Sequence, residues 1–135
     1  MTTFKFSIPL TVRVNDLNYG GHVSHQNFFS YFQESRVAYL GQFGYSEMDI
    51  GDHGTIITES GCKHKQALFL HDALQVACRI VELKSKAFTM AYQIQKKAVI
   101  CAEGFTISLC YDYPTQKVVR LPEAFIRKIR AFEGI

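Results

Sequence analysis

The second half of the chain carries a run of segments in which apolar and polar residues alternate, and this pattern restricts the fold most. In the clearest segment, apolar side chains occupy every second position from Phe88 to Ile94. A period of two is typical of strands with one buried face. We expect a bend near Gly61 and a bulge at Gly104. The four predicted strands are residues 55–69, 73–83, 87–96 and 99–111.

One long helix is predicted before these strands, over residues 26–43. Ser24 stands where an N-cap residue is expected. A strand over residues 4–14 and a loop rich in Asn and Gly, residues 15–25, come first, and Pro122 opens a short C-terminal helix. The aromatic residues on the apolar side of the long helix are Phe28, Phe32, Tyr39 and Phe43.

The order of these elements predicts the fold class. Consecutive strands joined by short turns favour an antiparallel sheet, and one long apolar helix before them would cover a face of that sheet. The sequence therefore predicts an α+β domain of two layers. A chain of 135 residues, 47% of them hydrophobic, has the size of one domain, so we expect a single domain over residues 1–135.

Charge and hydropathy narrow the classes of function. The formal net charge of +3 is mild and no nucleic-acid-binding motif is present, so a nucleic-acid partner is not expected. No apolar run is long enough for a bilayer and the first twenty residues lack a signal-peptide core, so we expect a cytoplasmic protein without a membrane partner. The histidines are scattered without metal-ligand spacing, and no metal is expected.

The cysteines have no paired spacing that would indicate a zinc or redox motif. All of them lie in apolar or strand-like segments, so we expect reduced, buried thiols. They are Cys62, Cys78, Cys101 and Cys110.

The segment from Arg13 to Arg36 reads RVNDLNYGGHVSHQNFFSYFQESR. It resembles the signature of the 4-hydroxybenzoyl-CoA thioesterase-like family of hot-dog proteins: an Arg, Asp-x-Asp/Asn, Gly-His-Val, an aromatic-rich helix start and a Glu followed by an Arg. The resemblance extends to residues 103–104 and 115–123. It implies a hot-dog fold, in which an antiparallel sheet wraps one long helix, and a homodimer or homotetramer with active sites between chains.

The resemblance implies that Asp16 is the acidic residue of a thioesterase active site. A carboxylate there would activate water or attack the thioester carbonyl itself, and both possibilities stay open. Burial could raise its pKa. The backbone amides of Gly21, His22 and Val23 come just before the predicted helix, where free N–H groups favour an oxyanion. Without the resemblance, an Asp in such a loop is usually a turn residue.

Other polar residues of the motif have two interpretations each. Asn18 would either polarise the carbonyl or shape the loop, and His22 would either position substrate or support the structure. Glu34 would either form a structural pair on the helix or take part in catalysis. The family often has Asn-Asn after Gly-His-Val, whereas this chain has Ser24-His25, and His25 adds a titratable group near the site.

Coenzyme A carries phosphates, so basic residues are candidate contacts. Lys84 and Lys86 flank Ser85 at a predicted turn between two strands, and these three are the predicted CoA-binding residues. The alternative is that they are solvated side chains at strand ends. Further candidates are Lys63, Lys65, Lys96 and Lys97.

The leading functional hypothesis is an acyl-CoA thioesterase that acts through Asp16 without a metal or redox cofactor. The alternative is a hot-dog protein that binds an acyl-CoA, or another acyl group, without turnover. A hot-dog dehydratase would need a different His-containing motif, which this chain lacks. The acyl group itself depends on pocket shape and is not predicted.

Overall fold

A computed structural model describes residues 3–135, so residues 1 and 2 of the predicted domain lie outside the described part. Its six-stranded antiparallel sheet has the order β1-β3-β4-β5-β2, and β6 pairs with β5. The elements are β1 (Ser7–Thr11), a 3-10 turn (Val14–Asp16), α1 (His25–Gly41), β2 (Gly54–His64), β3 (Ala73–Leu83), β4 (Ala87–Lys96), β5 (Val99–Asp112), β6 (Lys117–Val118) and α2 (Glu123–Glu133).

The long helix α1 packs its apolar side onto the sheet, as predicted. Phe28, Phe32, Tyr39 and Leu40 of α1 are buried against core residues of the strands. The ring of Phe32 stacks on Tyr92 of β4, with 4.6 Å between centroids and 17° between planes. The predicted α+β hot-dog fold is therefore confirmed, with one helix covered by one sheet.

The helix α1 also places a cation inside the core. Arg36 is only 6% exposed. Its Nε donates to Glu47 Oε1 at 2.8 Å, and its Nη1 donates to the Tyr92 hydroxyl at 2.9 Å. That hydroxyl also lies 2.7 Å from Thr106 Oγ1. A buried charge is tolerated when it is paired and hydrogen-bonded in this way.

The prediction of a bulge at Gly104 is wrong, because Gly104 stays in regular register with both β2 and β4. Gly61 is also in regular register with β5. The register shifts instead between Ile57 and Glu59 and between Ile94 and Gln95. Position 104 requires a glycine for steric reasons, because a Cβ there would collide with the Phe32 ring.

Three further boundaries differ from the sequence prediction. β1 is shorter than predicted and is followed by the 3-10 turn, and β2 ends at His64 rather than near residue 69.

The four cysteines, all within the described residues, are free, and three are buried, whereas Cys62 is partly exposed. Among the described helices, none combines the length and the apolar character needed to cross a membrane.

Candidate active site

Asp16 closes the 3-10 turn after β1 and is 5% exposed. Its backbone carbonyl accepts a hydrogen bond from the Ser24 amide at 3.2 Å and from Asn27 Nδ2 at 2.7 Å. These two bonds tie the turn to the first residues of α1. Ser24 occupies the predicted N-cap position, but its side chain makes no capping hydrogen bond.

The carboxylate of Asp16 is held by three donors. Its Oδ2 accepts from the Arg13 amide at 3.0 Å and from the Tyr31 hydroxyl at 2.8 Å. Its Oδ1 has a longer contact of 3.4 Å with Arg13 Nη2. The Arg13 side chain is 77% exposed, so this ion pair is open to solvent and weak.

These donors determine the pKa of Asp16. Burial acts to raise the pKa, but the hydrogen bonds from the Arg13 amide and the Tyr31 hydroxyl outweigh it, together with the Arg13 charge. The net pKa therefore lies below the ordinary value of 3.8. The net shift is thus opposite to the one that burial alone would give, and Asp16 is an ionised carboxylate at neutral pH.

A cleft of about 310 Å³ opens beside Asp16, between β1 and α1. Arg13, Tyr31 and Glu34 are the other titratable side chains of its wall, which also contains hydroxyl and amide groups. The lining residues are Ile8, Pro9, Leu10, Thr11, Arg13, Asp16, Asn27, Ser30, Tyr31 and Glu34. We call this the Asp16 cleft; its mixed apolar and polar wall is typical of small-molecule sites.

In the Gly-rich loop after Asp16, most backbone N–H groups already donate hydrogen bonds within the protein. The Asn18 side chain shapes the loop, since its Oδ1 accepts from the Gly20 amide at 2.8 Å. The Gly21 amide donates to the Asn18 carbonyl at 3.1 Å, and the Val23 amide donates to the Leu68 carbonyl at 2.9 Å. The Gly21 and Val23 amides are thus not free for an oxyanion, which corrects the predicted set of three.

The His22 amide differs from its two neighbours, because within residues 3–135 it has no hydrogen-bonded acceptor. His22 and Val23 do not line the Asp16 cleft. They line a separate cleft of about 230 Å³, beside His25, Phe28 and His64. The structure therefore does not bring the predicted acid and the predicted oxyanion donors together in one cleft of a single subunit.

His64 was not predicted as a site residue, yet it lies in the second cleft at the end of β2. Its ring contacts His25 edge-on, with centroids 4.6 Å apart, and Phe28, with centroids 4.4 Å apart. Burial and the neighbouring His25 lower the pKa of His64, so its neutral form is favoured. Only the tertiary fold joins these two histidines, and no sequence spacing indicates the contact.

The predicted CoA contacts lie far from Asp16. Lys84, Ser85 and Lys86 form the turn between β3 and β4, where the Ser85 carbonyl accepts from the Leu121 amide at 2.8 Å. Asp16 follows β1, whose last residue pairs with the first residue of β3. The 11 residues of β3 separate the two ends by about 30 Å. Within one subunit this turn therefore lies at the opposite end of β3 from Asp16.

A Gly21→Ala substitution tests the loop geometry. Gly21 has a φ of +82°, and a Cβ there would meet no atom within 4 Å, so the cost is conformational rather than steric. We expect a loss of about 1 kcal/mol in the free energy of unfolding, measured by urea denaturation. Gly41→Ala is the matched control, because it also has open space but an ordinary φ; equal losses in both variants would contradict the prediction.

An antiparallel sheet around one long helix is the architecture of the hot-dog class of α+β domains. The chain belongs to the thioesterase-like superfamily, whose family model matches residues 12–129. It is accordingly a thioester hydrolase.

Individual relatives agree with this family. A curated protein of Aquifex aeolicus named "Putative esterase" is 31% identical over 112 residues, covering 82% of this chain and 86% of its own length. The acyl-CoA thioesterase YbgC of Haemophilus influenzae is 21% identical over 121 residues, covering 87% and 89%. A thioesterase of Thermus thermophilus solved with coenzyme A and Zn has a TM-score of 0.85 at 24% identity, covers 100% of this chain and 98% of its own, and shows a common fold.

Proposed function

We propose that this chain hydrolyses acyl-CoA thioesters to a free acid and CoA, with Asp16 as the general base. The observation that carries the proposal is the ionised carboxylate of Asp16 in the wall of a cleft of about 310 Å³. The acyl-CoA substrate class is supported by the name of the Haemophilus relative and by the coenzyme A of the Thermus structure.

The proposed reaction uses a water molecule bound between Asp16 and the thioester carbonyl. Asp16 accepts a proton from this water while the water oxygen bonds to the carbonyl carbon, whose oxygen becomes an oxyanion. The oxyanion then re-forms the carbonyl and the carbon–sulfur bond breaks. The proton on Asp16 passes to the departing thiolate, which leaves a carboxylic acid and free CoA and restores the carboxylate.

General base catalysis fits Asp16 better than nucleophilic attack. Its two oxygens already accept three hydrogen bonds from Arg13 and Tyr31, which reduce its basicity and its nucleophilicity alike, so the choice between the two roles rests on geometry. A carboxylate that only takes a proton from water keeps these bonds throughout the reaction. Asp16 is therefore assigned to the activation of water.

Arg13 is the proposed stabiliser of the oxyanion in this cleft. Its guanidinium lines the Asp16 cleft, and its contact with Oδ1 is long and exposed, so it can turn toward a bound carbonyl. A cation placed where negative charge develops lowers the barrier. The His22 amide and Asn18 Nδ2, which have no acceptor within residues 3–135, are donors of the neighbouring loop.

A homodimer is proposed through the edge strand β2. Among the described strands, β2 pairs only with β5, and it exposes Ile56 and Ile57 by 39% and 41%. Exposed edge strands with apolar side chains favour pairing with another chain. Such a pair would also cover the second cleft, which His64 of β2 lines.

One observation favours the alternative of binding without turnover. The backbone N–H groups of Gly21 and Val23 already donate to carbonyls of the protein, so they cannot stabilise an oxyanion. A panel of acyl-CoAs of differing length and ring content, assayed for free CoA, separates the two functions. Hydrolysis of at least one member at enzyme-dependent rates supports the thioesterase. Saturable binding without CoA release across the panel would support the binder. Because the four cysteines are free, a thiol-reagent assay needs a blank without substrate.

A further inference from the structure

Tyr31 of α1 is buried beside the proposed base. It is 3% exposed, and its hydroxyl donates to Asp16 Oδ2 at 2.8 Å. One helical turn earlier, Asn27 holds the Asp16 carbonyl at 2.7 Å. Residues four apart lie on one face of a helix, so this face fixes both the backbone and the side chain of Asp16.

The hydrogen bonds of Asp16 distinguish its two carboxylate oxygens. Each oxygen of an ionised carboxylate has about two acceptor positions. Those of Oδ2 are used by the Arg13 amide and the Tyr31 hydroxyl. Within residues 3–135, Oδ1 has one long contact with the Arg13 guanidinium and keeps one position free. A water molecule in the cleft can therefore give its proton to Oδ1.

We propose that Tyr31 is a positioning residue: its buried hydroxyl fixes Oδ2 of Asp16 and thereby presents Oδ1 to the water that attacks the thioester. This inference rests on the proposed role of Asp16 as the base. In this assignment Tyr31 acts on the reaction through the orientation and the acidity of the carboxylate.

The charged and titratable groups around Asp16 agree with this assignment. Arg13 faces it from the 3-10 turn, Tyr31 and Glu34 line the cleft from α1, and β1 contributes no titratable side chain. Burial and then the neighbouring Asp16 raise the pKa of Tyr31, so the hydroxyl stays protonated as a donor. Its hydrogen bond in turn contributes to the lowered pKa of Asp16.

Tyr31→Phe tests the proposal, because it keeps the ring and removes only the donor. We expect kcat to fall roughly 10- to 100-fold with little change in KM, since a hydrogen bond to a charged group is lost. Without this donor the pKa of Asp16 rises, so the acid limb of the kcat/KM profile should move to higher pH by about one unit. The Asp16 carboxyl resonance in NMR should titrate with the same shift.

Tyr45→Phe is the control, because Tyr45 is a partly buried tyrosine that packs on Phe125 and lies outside the Asp16 cleft. It should change neither the acid limb nor kcat. If Tyr31→Phe leaves both unchanged while Asp16→Asn abolishes activity, the positioning role is overturned and the base remains. If Asp16→Asn is fully active, the proposed base itself is overturned. A kcat loss in Tyr31→Phe without any shift of the Asp16 titration would also overturn the assignment.

Discussion

Replacing Asp16 by Asn is expected to lower kcat/KM for the best acyl-CoA by about 10²- to 10⁴-fold. The amide has nearly the shape of the carboxylate but cannot accept a proton from water at neutral pH. Binding should survive, because the CoA part of the ligand does not depend on this charge. Steady-state hydrolysis and equilibrium binding of a non-hydrolysable acyl-CoA analogue measure the two quantities separately.

Asp72→Asn is the matched control for this experiment. Asp72 also accepts from the backbone amide three residues before it, at 2.8 Å from Phe69, and from a cation, Lys96, at 3.0 Å. It lines none of the clefts described above, so the variant should keep wild-type kcat/KM. A similar loss of activity in both variants would show that Asp16→Asn acts through stability and would contradict the role of Asp16.

The pH dependence of stability adds a second comparison. The pKa values of Asp16 and Asp72 are both lowered in the fold, because hydrogen bonds and nearby cations outweigh their burial. Each ionised group therefore stabilises the folded state above the ordinary value of 3.8, and this stability is lost as pH falls through the folded pKa. Both Asn variants should lose stability mainly above pH 4, so stability alone cannot separate them, whereas activity can.

The sequence predicted the strands β3 and β4 with their observed boundaries, and the reason is burial on one face. In β4, Phe88, Met90, Tyr92 and Ile94 are buried and the residues between them are partly exposed. Packing on one side of a sheet imposes a period of two, which the sequence records directly. The ends of the helix α1 were predicted to within about two residues for the same reason, because burial of one helix face imposes a period of about 3.6 residues.

The wrong predictions concern positions whose structure is decided by tertiary contacts that the sequence does not reveal. The predicted strand ran to residue 69, but Leu68 is buried within a loop, where its carbonyl accepts a hydrogen bond from the Val23 amide. A glycine in a strand fits either a bulge or a close neighbour, and only the position of Phe32 decides between them at Gly104. These are tertiary contacts between distant segments.

The candidate site likewise contains one residue that the sequence indicated and others that only tertiary contacts reveal. The motif indicated Asp16, and the structure places it at a cleft, but the motif did not indicate its buried donor Tyr31. The spacing of Asn27 and Tyr31 on one helical face could have indicated that both meet the same neighbour. The distance of Lys84 from Asp16 follows from the pairing of β1 with β3. The positions of basic residues in the sequence do not reveal this pairing.

Phe32→Ala is expected to be the most destabilising single substitution discussed here. Phe32 is fully buried, stacks on Tyr92 and meets Phe29 edge-on, with 5.8 Å between the last two centroids. Truncating a buried Phe to Ala costs about 3–5 kcal/mol. For a chain of 135 residues this lowers Tm by roughly 10–18 °C, measured by calorimetry.

A double-mutant cycle with Gly104→Ala tests why this position is glycine. Alone, Gly104→Ala should cost about 1–3 kcal/mol, because its Cβ would collide with the Phe32 ring and lie 2.7 Å from the Gly61 carbonyl oxygen. In the Phe32→Ala background the first collision disappears and the new methyl group partly fills the cavity. The double variant should therefore be more stable than the sum predicts, by about 1 kcal/mol or more. Additive losses would mean that the Phe32 ring is not what excludes a side chain at position 104.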